Sequence, residues 1–145
     1  MNYPLKTRRN DDGLTQVFCP LRHRYVALTP EEWVRQQFTQ FLINERRFPA
    51  ALMGNEVGIS VGNVNRRCDT ILFSKEGGKP VVIVEYKAPE VEITQKVFTQ
   101  ISSYNSVLHA QYLIVSNGHQ SVCCKMDYEN HAYRFLPDIP MYEDL

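Results

Sequence analysis

Residues 69–87 read Asp-Thr-Ile-Leu-Phe-Ser-Lys-Glu-Gly-Gly-Lys-Pro-Val-Val-Ile-Val-Glu-Tyr-Lys, two apolar runs joined across a Gly-Gly turn. Side chains two apart on a strand share a face. Val81, Ile83, Glu85 and Lys87 therefore point one way, and Val82, Val84 and Tyr86 the other. Apolar residues on both faces mark a strand covered on both sides. Folding the segment into a hairpin brings Asp69 to the end of the second strand that carries Glu85 and Lys87. Charge beside an apolar sheet is costly unless it is paired or neutralised.

The pairing register decides whether these groups meet. A three-residue loop, Glu76-Gly77-Gly78, pairs Lys75 with Lys79 and sets Asp69 directly opposite Glu85, with β-carbons ~5 Å apart. A two-residue Gly77-Gly78 turn sends the two carboxylates to opposite faces. In the first register they repel unless a cation lies between them, and hard cations such as magnesium choose oxygen ligands. A metal on Asp69 and Glu85, with a main-chain carbonyl such as that of Tyr86, can polarise a phosphate and activate water. Lys87, on the same face, can orient that water and stabilise developing negative charge. The expected chemistry is phosphodiester cleavage. The alternative is an ion pair at a strand end, Glu85 with Lys87, and Asp69 capping something nearby.

The rest of the chain supplies a scaffold. Its 145 residues fit a single domain, 1–145, with residues 1–14 and 137–145 peripheral. The entry at 15–28 is β-rich, with a turn near Pro20. Thr29 is a candidate N-cap, Pro30 suits the first turn, and Glu32 completes a Thr-x-x-Glu capping box. Val34, Phe38, Phe41 and Leu42 form the buried stripe of a helix that ends near Arg47. Strands are expected at about 55–62, 67–75 and 80–87, and a second helix over about 94–109, with Val97, Ile101, Tyr104 and Leu108 on one stripe. Two further strands, at about 111–116 and 121–126, flank the turn signal Asn117-Gly118. The tail from Leu136 reads as loosely ordered. Adjacent Cys123 and Cys124 suit alternating strand faces rather than a zinc site.

Formal net charge is zero, so bulk positive charge does not hold this chain on a polyanion, although basic pairs such as Arg46-Arg47 and Arg66-Arg67 permit a local basic face. No apolar signal core opens the chain and no run reaches the ~18 apolar residues of a membrane span. A cytoplasmic location with reduced thiols is expected. There is no phosphate-binding loop of the Walker type, so no ATP site is expected.

Asp69 followed by Glu85-Tyr86-Lys87 resembles the D…(D/E)xK motif of the PD-(D/E)xK nuclease superfamily, with Cys68 where a proline often precedes the aspartate. The flanking segments at 25–36, 67–71, 84–89, 100–105 and 112–118 resemble the N-terminal nuclease domain of type I restriction enzyme R subunits, over about residues 17–136. The resemblance implies an α/β, restriction-endonuclease-like core: a central mixed β-sheet flanked by α-helices. It implies magnesium-dependent DNA cleavage, with manganese as substitute. Asp69 and Glu85 become metal ligands and Lys87 the catalytic lysine. Gln100 and Tyr104 match a Q-x-x-x-Y motif that binds DNA backbone or positions the site; a solvated face for Gln100 and core packing for Tyr104 stay open. Arg67, beside the first aspartate, joins them as a DNA-binding or positioning candidate. Glu32 resembles an additional acidic metal contact carried on the first helix by some relatives, and its capping role is the competing reading. Arg35, one turn on, is read as the partner of Glu32. Type I R subunits continue into helicase motors, and this sequence ends at Leu145, so the expected module acts without ATP-driven translocation. The expected partners are DNA and other restriction-system or helicase subunits, and cutting two strands would suit a homodimer. The competing function is a catalytically weak nucleic-acid-binding or protein-interaction module on a nuclease fold.

Overall fold

The computed structural model describes residues 2–145, with the side chains of residues 61, 64, 104, 106 and 107 outside the described set; the role assigned to the Tyr104 side chain falls there. The chain forms β1 (Thr7–Arg9), β2 (Thr15–Cys19), β3 (Arg24–Ala27), α1 (Pro30–Glu45), β4 (Met53–Val61), β5 (Val64–Phe73), β6 (Pro80–Tyr86), α2 (Gln95–Leu108), β7 (Tyr112–Ser116), β8 (Ser121–Asp127) and β9 (Ala132–Leu136). Strands β1 to β3 make a small antiparallel sheet. The others form a six-stranded sheet in sequence order. It is mixed: β6 and β7 are parallel, joined by the α2 crossover, and every other neighbouring pair is antiparallel.

Each helix starts where its cap requires. Thr29 Oγ1 accepts the Glu32 N–H at 3.1 Å, and Thr94 Oγ1 accepts the Val97 N–H at 3.2 Å. α1 lays Val34, Phe38 and Leu42 against Val82, Val84, Tyr86 and Ile114. On the opposite face, Phe98, Ile101 and Leu108 of α2 meet Ile71, Ile83, Leu113 and Val115. Sheet residues thus alternate between two cores, and Cys123 and Cys124 fall one in each, as the sequence implied.

Three expectations change. The β5–β6 turn is not the three-residue loop: Ser74 N–H bonds Lys79 O, so four residues, Lys75 to Gly78, close the turn. Phe73 then pairs with Pro80, but the register shifts by one at the next step and Leu72 pairs with Val82. Val81 is the extra residue of a β-bulge. The bulge restores the even register the four-residue turn would have lost. Second, β1 and β9 were not expected. β9 carries exposed Tyr133 and Phe135, both in contact with the Phe98 ring. Third, the tail is not loose. Arg46 Nε donates to Ile139 O at 2.7 Å, Tyr142 N–H donates to Arg46 O at 2.8 Å, and Ile139, Tyr142 and Leu145 pack on the α1 core.

Candidate metal centre

The even register runs through Thr70↔Val84, Ile71↔Ile83 and Leu72↔Val82, and its next step sets Asp69 against Glu85. The ladder itself stops at Thr70. There the Asp69 side chain takes over, its Oδ2 accepting the Tyr86 N–H at 2.9 Å. The carboxylate is therefore held at the open end of β6 by a main-chain donor.

Glu85 is half-buried and lines a small cavity with Ile83, Ile101, Leu108 and Leu113. Burial pushes its carboxyl up to about 9, helped by the Asp69 charge and by a hydrogen bond with the Asp69 side chain. Arg66 and Lys87 act in the opposite sense, so the Lys87 charge is felt at Glu85. Without a cation Glu85 keeps its proton and hydrogen-bonds the Asp69 side chain. The buried Asn105 Oδ1, in the same cavity, has no hydrogen-bond partner. A raised carboxyl and an orphaned oxygen fit a hard cation. Among the described residues no group of three or more His, Cys, Asp or Glu side chains is placed to hold a metal. An ion on Asp69 and Glu85 would draw its remaining oxygens from main chain, water or a substrate phosphate.

A second charged group stands behind the pair. Arg35 is buried on α1 and bonds Glu32 Oε1 at 2.9 Å and Glu56 Oε1 at 2.7 Å, and its Nη2 lies 3.6 Å from Asp69 Oδ1. Glu32 receives Arg22 at 2.6 Å and Gln36 at 2.9 Å on its other oxygen. Its carboxylate is thus saturated by donors. It reaches Asp69 only through Arg35, and the structure does not bring it to the carboxylate pair. Nor does it turn back to close the capping box. Arg35 is the partner of Glu32, as expected, and also of two further acids.

Glu56 was not singled out from the sequence. β4 pairs Asn55 with Thr70 and Val57 with Cys68, so Glu56 lies across from Asp69, with a left-handed φ of 56° that interrupts the ladder. A signal was available: Val61 pairs Val64 around a Gly62-Asn63 turn, and counting back from that two-residue turn sets Glu56 opposite Asp69.

Tyr86, between Glu85 and Lys87, faces the other core. Its hydroxyl donates to Thr70 Oγ1 at 2.9 Å, and Thr70 donates to Asn55 Oδ1 at 2.6 Å. Asn55 Nδ2 reaches Cys19 Sγ at 3.4 Å. This chain of bonds ties β6, β5 and β4 to β2 and fixes the strand whose N–H holds Asp69. Of the other candidates, Gln100 is exposed on α2. Arg67 is largely exposed, its Nη1 3.6 Å from Glu56 Oε2.

A mixed sheet with a helix on each face, an Asp midway along one strand and a Glu-x-Lys at the end of its neighbour, defines a restriction-endonuclease-like nuclease fold. The comparisons agree. A crystal structure from Anabaena variabilis ATCC 29413, described as a candidate nuclease belonging to DUF820, shares it with a TM-score of 0.50 at 10% identity, covering 95% of this chain and 88% of that one. No curated protein matches the chain. The profile described as type I restriction enzyme R protein N terminus (HSDR_N) matches residues 30–140, and the chain belongs to that family.

Proposed function

We propose that this chain is a metal-dependent deoxyribonuclease module, cutting phosphodiester bonds with magnesium, or manganese in its place. The observation that carries the reading is the facing pair Asp69 and Glu85, with Glu85 held protonated by burial and by its neighbour. The two carboxylates would hold the ion, which when bound polarises the scissile phosphate and lowers the pKa of a water. Glu85 must lose its proton to serve, so loading releases a proton and strengthens as pH rises. Asp69 is kept in place by the Tyr86 N–H and the Arg35 charge. Lys87, on the Glu85 face, orients the attacking water and stabilises charge on the phosphate oxygens.

One observation favours a second reading, a catalytically weak binding module. Arg35 already stands 3.6 Å from Asp69 and neutralises part of the charge that a metal would answer.

Cleavage of single-stranded, linear and supercoiled DNA, with magnesium and with manganese, separates the two. The nuclease reading expects metal-dependent cutting that Asp69→Ala and Lys87→Ala abolish. Equal cutting by wild type and both variants removes the assignment. Metal should also raise the melting temperature, as any ligand of the native state must. No shift at millimolar metal counts against the site.

A further inference from the structure

The β4–β5 hairpin extends past the main sheet. β5 pairs with β6 only over Thr70 to Phe73, so from Val64 to Asp69 it is hydrogen-bonded to β4 alone. This two-stranded arm is about 20 Å long at ~3.3 Å per residue, and it begins at the metal-site aspartate itself. Its two faces differ. Val57 and Ile59 pack on the α2 core. The other face carries the directly opposed pairs Gly58↔Arg67 and Ser60↔Asn65. A β-carbon at Gly58 would meet nothing within 4 Å, so a ligand's backbone can approach closely there.

Beyond the facing acids Glu56 and Asp69 at its base, the charge on this arm has one sign. From Val57 to Cys68 the only charged residues are Arg66 and Arg67. Gly58, Ser60, Asn65 and Arg67 of the polar face border a hollow of about 300 Å³ that Ile59 and Arg66 of the other face also line, and Arg67 also borders a second hollow of about 450 Å³ that includes Arg22 and Arg24. The two hollows have Arg67 in common, and together five arginines and three glutamates line them. Glu32 and Glu56 pair with Arg22, Arg35 and Arg67 of the same walls, and Arg24, Arg66 and Glu31 make up the rest of the charge. In a chain of zero net charge this is a local positive excess.

We propose that the path from Arg24 across Arg67 to Ser60 and Asn65 is the track for the phosphodiester backbone of duplex DNA leading to Asp69; it rests on the nuclease reading above. A two-stranded ribbon is a shape a DNA groove accepts. Arginine contacts to phosphate set position without reading sequence. The track therefore predicts binding that is strongly salt-dependent and indifferent to sequence.

The test is fluorescence anisotropy of a labelled 20-base-pair duplex, in EDTA so that no cleavage occurs, between 50 and 200 mM salt. Arg24→Ala and Arg67→Ala should each weaken binding on the order of fivefold at low salt. Each should also lower the slope of log affinity against log salt by about one. Ser60→Glu with Asn65→Glu should weaken it further, with circular dichroism reporting an intact fold. Arg134→Ala, on β9, should change nothing. Unchanged affinity and slope in the arginine variants, an equal loss in Arg134→Ala, or no duplex binding by wild type at 50 mM salt would each overturn the track. The metal-induced melting shift, measured without DNA, reports separately on the carboxylate site, so the two failures are distinguishable.

Discussion

Burial and the neighbouring Asp69 hold Glu85 protonated up to about pH 9, against 4.5 for an ordinary glutamate. A group whose folded value is raised contributes stability that is fully present below its unfolded value and lost as pH rises through the folded one. In the metal-free protein, stability from this residue therefore declines from about pH 4.5 toward pH 9. Glu85→Gln removes the ionisation and keeps the shape. It should melt above wild type at pH 8 without metal, with the gap closing toward pH 5, and should show no magnesium-induced shift. Differential scanning fluorimetry across this range checks both, and a wild type that melts as high as the variant at pH 8 contradicts the burial argument.

Two elements bring the acids together, and each has a separable cause. β6 holds its register by a bulge at Val81, downstream of a four-residue turn. Val82 and Val84 must enter the α1 core and Ile83 the α2 core, so packing sets the strand and the bulge absorbs the mismatch. Deleting Val81 should leave a regular hairpin of the same register, destabilised by about 1 kcal/mol for the lost burial. The metal-induced shift should survive; its loss would mean that the bulge itself holds the register. Thr94→Ala removes the cap of α2, the helix that walls the Glu85 cavity, and should cost about 1 kcal/mol in urea unfolding. The two strands of the carboxylate hairpin and their faces were legible from the alternation. The bulge was not, because nothing in Lys79-Pro80-Val81 marks which residue will be left unpaired.

At the scale of the molecule, the C-terminal segment closes the α1 core. Tyr142 packs its ring against Phe48 at 6.2 Å between centroids, and Arg46 grips the segment at Ile139 and Tyr142. Removing residues 137–145 should lower stability by about 3 kcal/mol, from partial burial of three apolar side chains, read as a lower urea midpoint. An unchanged midpoint would return the tail to the peripheral role its prolines and acidic residues suggested. Local periodicity and caps determined both helices, the central strands and the Asp69, Glu85, Lys87 motif, because those signals lie within a few residues of one another. Tertiary structure decided the rest. Arg35, separated by tens of residues from Glu56 and Asp69, meets them only when α1 settles on the sheet, and β9 and the tail find partners only after the core exists. The even register across β5 and β6 needed both: alternation in the sequence named the faces, and two opposed cores chose between registers that the turn alone could not.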